Sequence, residues 1–101
     1  MTNKALSMIG LATKAGKTVS GEFMTEKVIK TNQAKMIIVA EDASDNTKKM
    51  FRNMCEHYKV PMYISFSKEE LGRACGKSFR ASIAIMDEGF YKSIVKYPKT
   101  K

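Results

Sequence analysis

The chain has 101 residues, 44% of them apolar, which is the material of one ordinary domain with a modest core. Its 18 Lys and Arg against 10 Asp and Glu leave a net charge of +8, which points to a polyanionic partner, most often nucleic acid. The longest apolar run, Met36 to Ala40, is far too short to span a bilayer, and Cys55 and Cys75 form no C-x-x-C pair, so neither a membrane span nor a disulfide or zinc framework is expected.

In chain order, Ala5, Met8, Ile9 and Ala12 recur at helical spacing and Gly16 supplies a stop. Thr18-Val19-Ser20 is a very short β-like piece, suited to a sheet edge. Gly21 to Thr31 returns to helical spacing through Met24, Val28 and Thr31, with Asn32 as a left-handed terminator. Met36 to Ala40 reads as a strand covered on both faces. Ser44 and Asp45 are good N-caps for a helix whose stripe is Met50, Phe51, Met54, Cys55 and Tyr58. Val60 to Phe66 is a third strand, with Pro61 tolerable at its start. Ser67 with Glu70 forms a capping-box pattern for a short helix ending at Gly76. Ala81 to Met86 is a fourth strand, and Phe90, Tyr91, Ile94 and Val95 face inward on a last helix.

Five helices interleaved with four strands imply an α/β fold with the sheet between helix layers. Residues 1–97 are expected to form one domain and 98–101 a frayed polar tail. Met1 to Lys17 lacks an apolar signal-peptide core, so the chain is expected in the cytosol, where both cysteines stay reduced core residues.

A catalytic constellation is not apparent. The single histidine, His57, lies on a polar helix edge, and the adjacent pairs Glu69-Glu70 and Glu41-Asp42 do not face one another. No phosphate-cradling glycine motif and no metal cluster are present in the pattern, so neither a cofactor nor a metal is expected. The methionines read mostly as gap-fillers of the core, with Met24 as the exception.

Two clusters remain. One is Lys14 to Gly21, with Lys14, Lys17 and Ser20, leading into the second helix, with Lys27 and Lys30 beyond; a helix start favours phosphate, although basic helix starts are common. The other is Lys77, Ser78, Phe79 and Arg80 on a loop before an apolar run. An aromatic flanked by cations there is a poor way to build a core and a good way to hold an unstacked nucleotide. Loops at one end of a layered α/β domain converge, so the two clusters are expected to share a surface.

Gly16 to Gly21, Gln33 to Asp42 and Leu71 to Lys77, in this order and spacing, resemble the kink-turn RNA-binding ribosomal proteins, the "seven-A-e / thirty-e" family. Leu11 to Lys17 and Glu41 to Lys49 are most similar to its bacterial YlxQ-type branch. The resemblance covers about Lys4 to Ile94. It implies a three-layer α-β-α sandwich with a four-stranded mixed sheet. It also implies a non-enzymatic, monomeric protein that binds structured RNA, ribosomal or otherwise kink-turned, in the cytoplasm and in association with the ribosome. In the family the second helix enters the bent RNA beside sheared G·A pairs, and a second loop covers a looped-out nucleotide with an apolar side chain.

Carried over, Gly21 matches the glycine of close RNA approach, Lys17 a phosphate contact and Lys27 a helix lysine near RNA. Glu41 and Asp42 match polar groups after the strand, and Lys77, Ser78, Phe79 and Arg80 the covering loop, with Phe79 as the cover. The family's G·A-reading positions carry Asn or Lys followed by Glu or Gln; here they are Phe23 and Met24, after Glu22, which do not make those hydrogen bonds. Phe23 either stacks on a base or staples the helix to the core, and packing is the favoured role. A second functional reading keeps the fold but turns Phe23 and Met24 to a protein, as an interaction adaptor of the translation or transcription machinery.

Overall fold

The computed structural model describes residues 2–96; the expected tail at 98–101 lies outside them. Nine elements follow one another: α1 (Asn3–Lys14), β1 (Thr18–Ser20), α2 (Glu22–Lys30), β2 (Met36–Val39), α3 (Asp45–Tyr58), β3 (Met62–Ile64), α4 (Lys68–Ala74), β4 (Ser82–Ile85) and α5 (Glu88–Val95). The sheet order is β1-β4-β2-β3. β2 and β3 run parallel, joined by the α3 crossover, while β4 is antiparallel to both β1 and β2. The three-residue β1 takes an edge, as its length suggests.

β2 and β4 occupy the centre and bury every residue, because helices cover both faces. α1 packs against α4 and α5 on one side, and α2 against α3 on the other. Ile9, Ile29, Phe51, Leu71, Ile83 and Ile94 are fully buried between these layers. Local chemistry sets the helix ends. Ser44 Oγ accepts from Thr47 N at 3.1 Å. Ser67 and Glu70 form the reciprocal capping box, with Glu70 N donating to Ser67 Oγ at 3.0 Å and Ser67 N to Glu70 Oε1 at 2.8 Å. Gly16 (φ 74°) and Asn32 (φ 60°) take the left-handed turns that follow α1 and α2.

Three expectations need correction. The inward face of α2 is Thr25, Val28 and Ile29, whereas Met24 and Thr31 are exposed. Thr25 enters the core because its hydroxyl reaches Ser82 Oγ at 3.3 Å. Phe23 does not staple the helix: it points away from that face and is 75% exposed. The third strand stops at Ile64 instead of running to Phe66, because Phe66 adopts φ 67°, which breaks the extended chain.

Both cysteines are free and buried, and burial pushes the Cys55 thiol from the ordinary 9.0 up to about 11. Below about pH 9 the folded and unfolded thiols both keep their protons. Between about pH 9 and 11 only the unfolded thiol ionises, so folding stability falls as pH rises through that window. The denaturation midpoint is expected to drop between about pH 8 and about pH 10.5 by more in the native protein than in Cys55→Ala, which lacks this group.

Candidate nucleic-acid interface

One end of the sheet gathers segments that are distant in sequence. β1 leads into Gly21, whose N–H donates to Ser82 O at 3.0 Å, fixing the start of α2 beside the start of β4. Gly21 has φ 90° with open space where a Cβ would project. The backbone conformation, not crowding, therefore calls for glycine there. No side chain caps α2 at this end.

The loop before β4 lies alongside. Arg80 Nε donates to Ser20 Oγ at 3.1 Å and Nη1 to Phe79 O at 2.7 Å, while Arg80 N donates to Lys68 O at 3.0 Å. One residue thus ties the loop to β1 and to the start of α4. Lys77, Ser78 and Phe79 are exposed, Phe79 to 60%. The ring belongs to the surface, as the cations around it suggest.

The loop rests on α4 through Gly72, which sequence reasoning did not single out. Lys77 N donates to Gly72 O at 2.7 Å. A Cβ at Gly72 would lie 2.5 Å from Ser78 O, 2.6 Å from Ser78 C and 2.8 Å from Phe79 N. Only a residue without a side chain lets the loop lie this close to the helix. The signal in the sequence was an otherwise unfavourable glycine inside a short helix.

Glu41 and Asp42 follow β2 at the same end. Glu41 N donates to Phe66 O at 2.7 Å, and Asp42 Oδ1 accepts from Lys68 N at 2.8 Å at the start of α4. Asp42 therefore has a structural task, holding the first amide of α4.

The two sequence clusters converge only in part. Ser20 meets the Lys77–Arg80 loop through Arg80, and Gly21 lies beside the start of β4. Lys14 and Lys17 do not: Met86 N donates to Lys17 O at 2.8 Å, which places Lys17 at the opposite end of β4. β1 carries the chain across the sheet between them, a distance of roughly 10 Å over three residues. Lys35, whose N–H donates to Ile85 O at 2.7 Å, lies at that far end too. Met24 and Lys27 are exposed on α2, and Phe23, Glu26, Lys27, Lys30 and Thr31 line a shallow groove of about 310 Å³ on its outer face.

Among the described residues, no group of three or more His, Cys, Asp or Glu side chains is placed to hold a metal ion. Among these residues, no helix is long and apolar enough to cross a membrane either.

Comparison with known proteins agrees with this architecture. A family model, the ribosomal protein L7Ae/L30e/S12e/Gadd45 family, matches residues 3–95. The chain is 41% identical over 88 residues to the RNA-binding protein YlxQ of Bacillus subtilis, covering 87% of this chain and 88% of that one. It is 43% identical over 89 residues to the RNA-binding protein YlxQ of Enterococcus faecium, covering 88% and 85%. Among solved structures, a Bacillus halodurans protein described as of unknown function superposes with a TM-score of 0.88 at 33% identity, over 92% of this chain and 94% of that one. A Giardia lamblia 15.5kD RNA binding protein shares the fold, with a TM-score of 0.78 at 23% identity over 90% of this chain and 78% of that one. The chain thus belongs to the ribosomal protein L7Ae/L30e/S12e/Gadd45 family.

Proposed function

We propose that this chain is a non-enzymatic RNA-binding protein of ribosomal type that recognises sharply bent, kink-turn-like RNA by shape. The YlxQ relatives are named as RNA-binding proteins, and the +8 charge suits a polyanion. Residues up to 97 act as one binding unit, a cytoplasmic monomer that meets structured RNA, including RNA of the ribosome. The observation that carries the reading is Phe79: a 60% exposed ring between Lys77 and Arg80, on a loop held to β1 and α4 by hydrogen bonds.

The loop's geometry supports the following roles. Phe79 covers the base that a bend ejects, Lys77 and the remaining N–H groups of Arg80 take neighbouring phosphates, and the open φ 90° turn at Gly21 brings backbone close to RNA. Because ordinary A-form major grooves are too narrow to read, the bend itself gives access.

A gel shift with a kink-turn RNA and a straight duplex of equal length tests this. The kink-turn should bind more tightly, and Phe79→Ala should weaken it by about 1–3 kcal/mol with the melting temperature unchanged. Equal binding of both RNAs, or unfolding of the variant, would overturn the reading. The exposure of Phe23 and Met24, 75% and 37%, favours the adaptor role as the second reading, and absence of RNA binding altogether would select it.

A further inference from the structure

We infer that the free edge of β3, with the cleft between it and α3, takes an extended segment of another polypeptide, which joins the sheet as a fifth strand antiparallel to β3. This edge lies apart from the proposed RNA surface. β4 and β2 stand between it and β1, a separation of roughly 14 Å at the usual strand spacing.

The main chain sets the chemistry of the occupant. β3 has a neighbour on one side only, β2. In their parallel register Met62 sits opposite Ile37 and Ile64 opposite Val39. Ile37 N donates to Pro61 O at 2.9 Å, and Ser65 N donates to Val39 O at 3.1 Å. Positions 61, 63 and 65 therefore turn their backbone groups to β2, and the alternation points those of Met62 and Ile64 outward. Two N–H and two C=O groups at this spacing match the backbone of an extended peptide; a phosphate, which only accepts, matches half of them. The usual defences of an edge are thin, since Met62–Ile64 contains no charged residue and Pro61 precedes the strand.

The side chains add specificity. Tyr63 turns to the face of α5, toward Tyr91. Met62 and Ile64 turn to the face of α3, where they join Cys55 and Val60 as the apolar part of a cleft of about 400 Å³. Ile64 is 37% exposed. A residue paired opposite either one projects its side chain to the same face. Arg52 and Glu56 complete the lining. They stand four apart on α3 in the less favourable order and, among the described residues, form no ion pair with each other. Val60 N donates to Cys55 O at 2.9 Å, so the end of α3 meets the start of β3. Glu56 thus lies toward Met62 and Arg52 toward Ile64. An antiparallel segment enters at Ile64. The segment that meets both charges carries an acidic, an apolar and a basic residue at alternate positions, in that order.

The probe is the capped peptide Ser-Glu-Thr-Leu-Thr-Lys-Ser, whose zero net charge removes bulk attraction to a +8 protein. In fluorescence anisotropy, wild-type protein should bind it saturably. Exchanging its Glu and Lys, or N-methylating its leucine, should each weaken binding about five- to tenfold. Ile64→Pro removes an outward N–H and no bond to β2, and should cause a similar loss. The N-methyl peptide tests the same pairing from the other side, should that variant fail to fold. Arg52→Glu combined with Glu56→Lys should prefer the exchanged peptide. Phe79→Ala and saturating bent RNA should leave peptide affinity unchanged. Absence of binding, indifference to N-methylation, or displacement by bent RNA overturns the proposal. So does a concentration-dependent dimer that Ile64→Pro dissolves, because the edge then belongs to a second copy. Failure of the bent RNA to bind counts against the RNA reading alone.

Discussion

Gly72→Ala should lower the melting temperature by several degrees, up to roughly 15 °C, and detach the Phe79 loop from α4. The added methyl would meet backbone, Ser78 O at 2.5 Å and Phe79 N at 2.8 Å, instead of the flexible end of a side chain. Overpacking of this kind costs about 1–3 kcal/mol, and each kcal/mol moves the midpoint of a domain this size by about 4–8 °C. The gain in helix propensity from Gly to Ala offsets about 1 kcal/mol of this, and because the clash is with backbone the net cost lies toward about 2 kcal/mol. Lys77 N would lose its 2.7 Å bond to Gly72 O as the loop lifts, so amide exchange should accelerate at Lys77 first. Bent-RNA affinity should fall at least as far as in Phe79→Ala. An unchanged midpoint together with unchanged exchange would show that the loop accommodates the methyl, and would remove Gly72 from the account.

Salt should affect binding even more strongly. If about four to six cations contact phosphates, log affinity falls against log salt with a slope of about −3 to −5. Between about 50 and 200 mM salt, affinity for bent RNA then drops roughly 60- to 1,000-fold. Neutralising one contacting cation should reduce the slope by about one, which makes Lys77→Gln and Lys27→Gln the informative variants. Lys92→Gln is the control, because it lies on α5 in the opposite helix layer, 3.9 Å from Glu88. A flat response, or a slope that falls equally in the Lys92 variant, would mean that charge acts without a defined surface.

Much of the architecture is legible in the residues because local and tertiary requirements coincide. Met36 to Val39 is continuously apolar since helices cover both of its faces, and Ser67 with Glu70 announces its own helix start. α2 was harder. Counting apolar residues favoured Met24, Val28 and Thr31, yet the core takes Thr25, a polar residue acceptable there only through a partner on β4. That shift hid the exposure of Phe23. At the interface, residue types identified the Phe79 loop, but three things depend on the closed sheet: the contact of Arg80 with Ser20, the use of Asp42 at α4, and the separation of Lys17 from Gly21 by one short strand. No periodicity encodes a junction between positions 60 residues apart.

The sheet order has a consequence for synthesis on the ribosome. β4 lies between β1 and β2, yet only α5 follows it among the described elements. A nascent chain that stops short of β4 leaves its two earliest strands without the neighbour that joins them, and Ser20 without Arg80. Such long-range closure is slow compared with helix formation. The junction of Ser20 with Arg80, on which the proposed RNA surface rests, is thus absent from partial products and arises only when β4 completes the sheet, so under that proposal truncated chains should compete poorly for RNA.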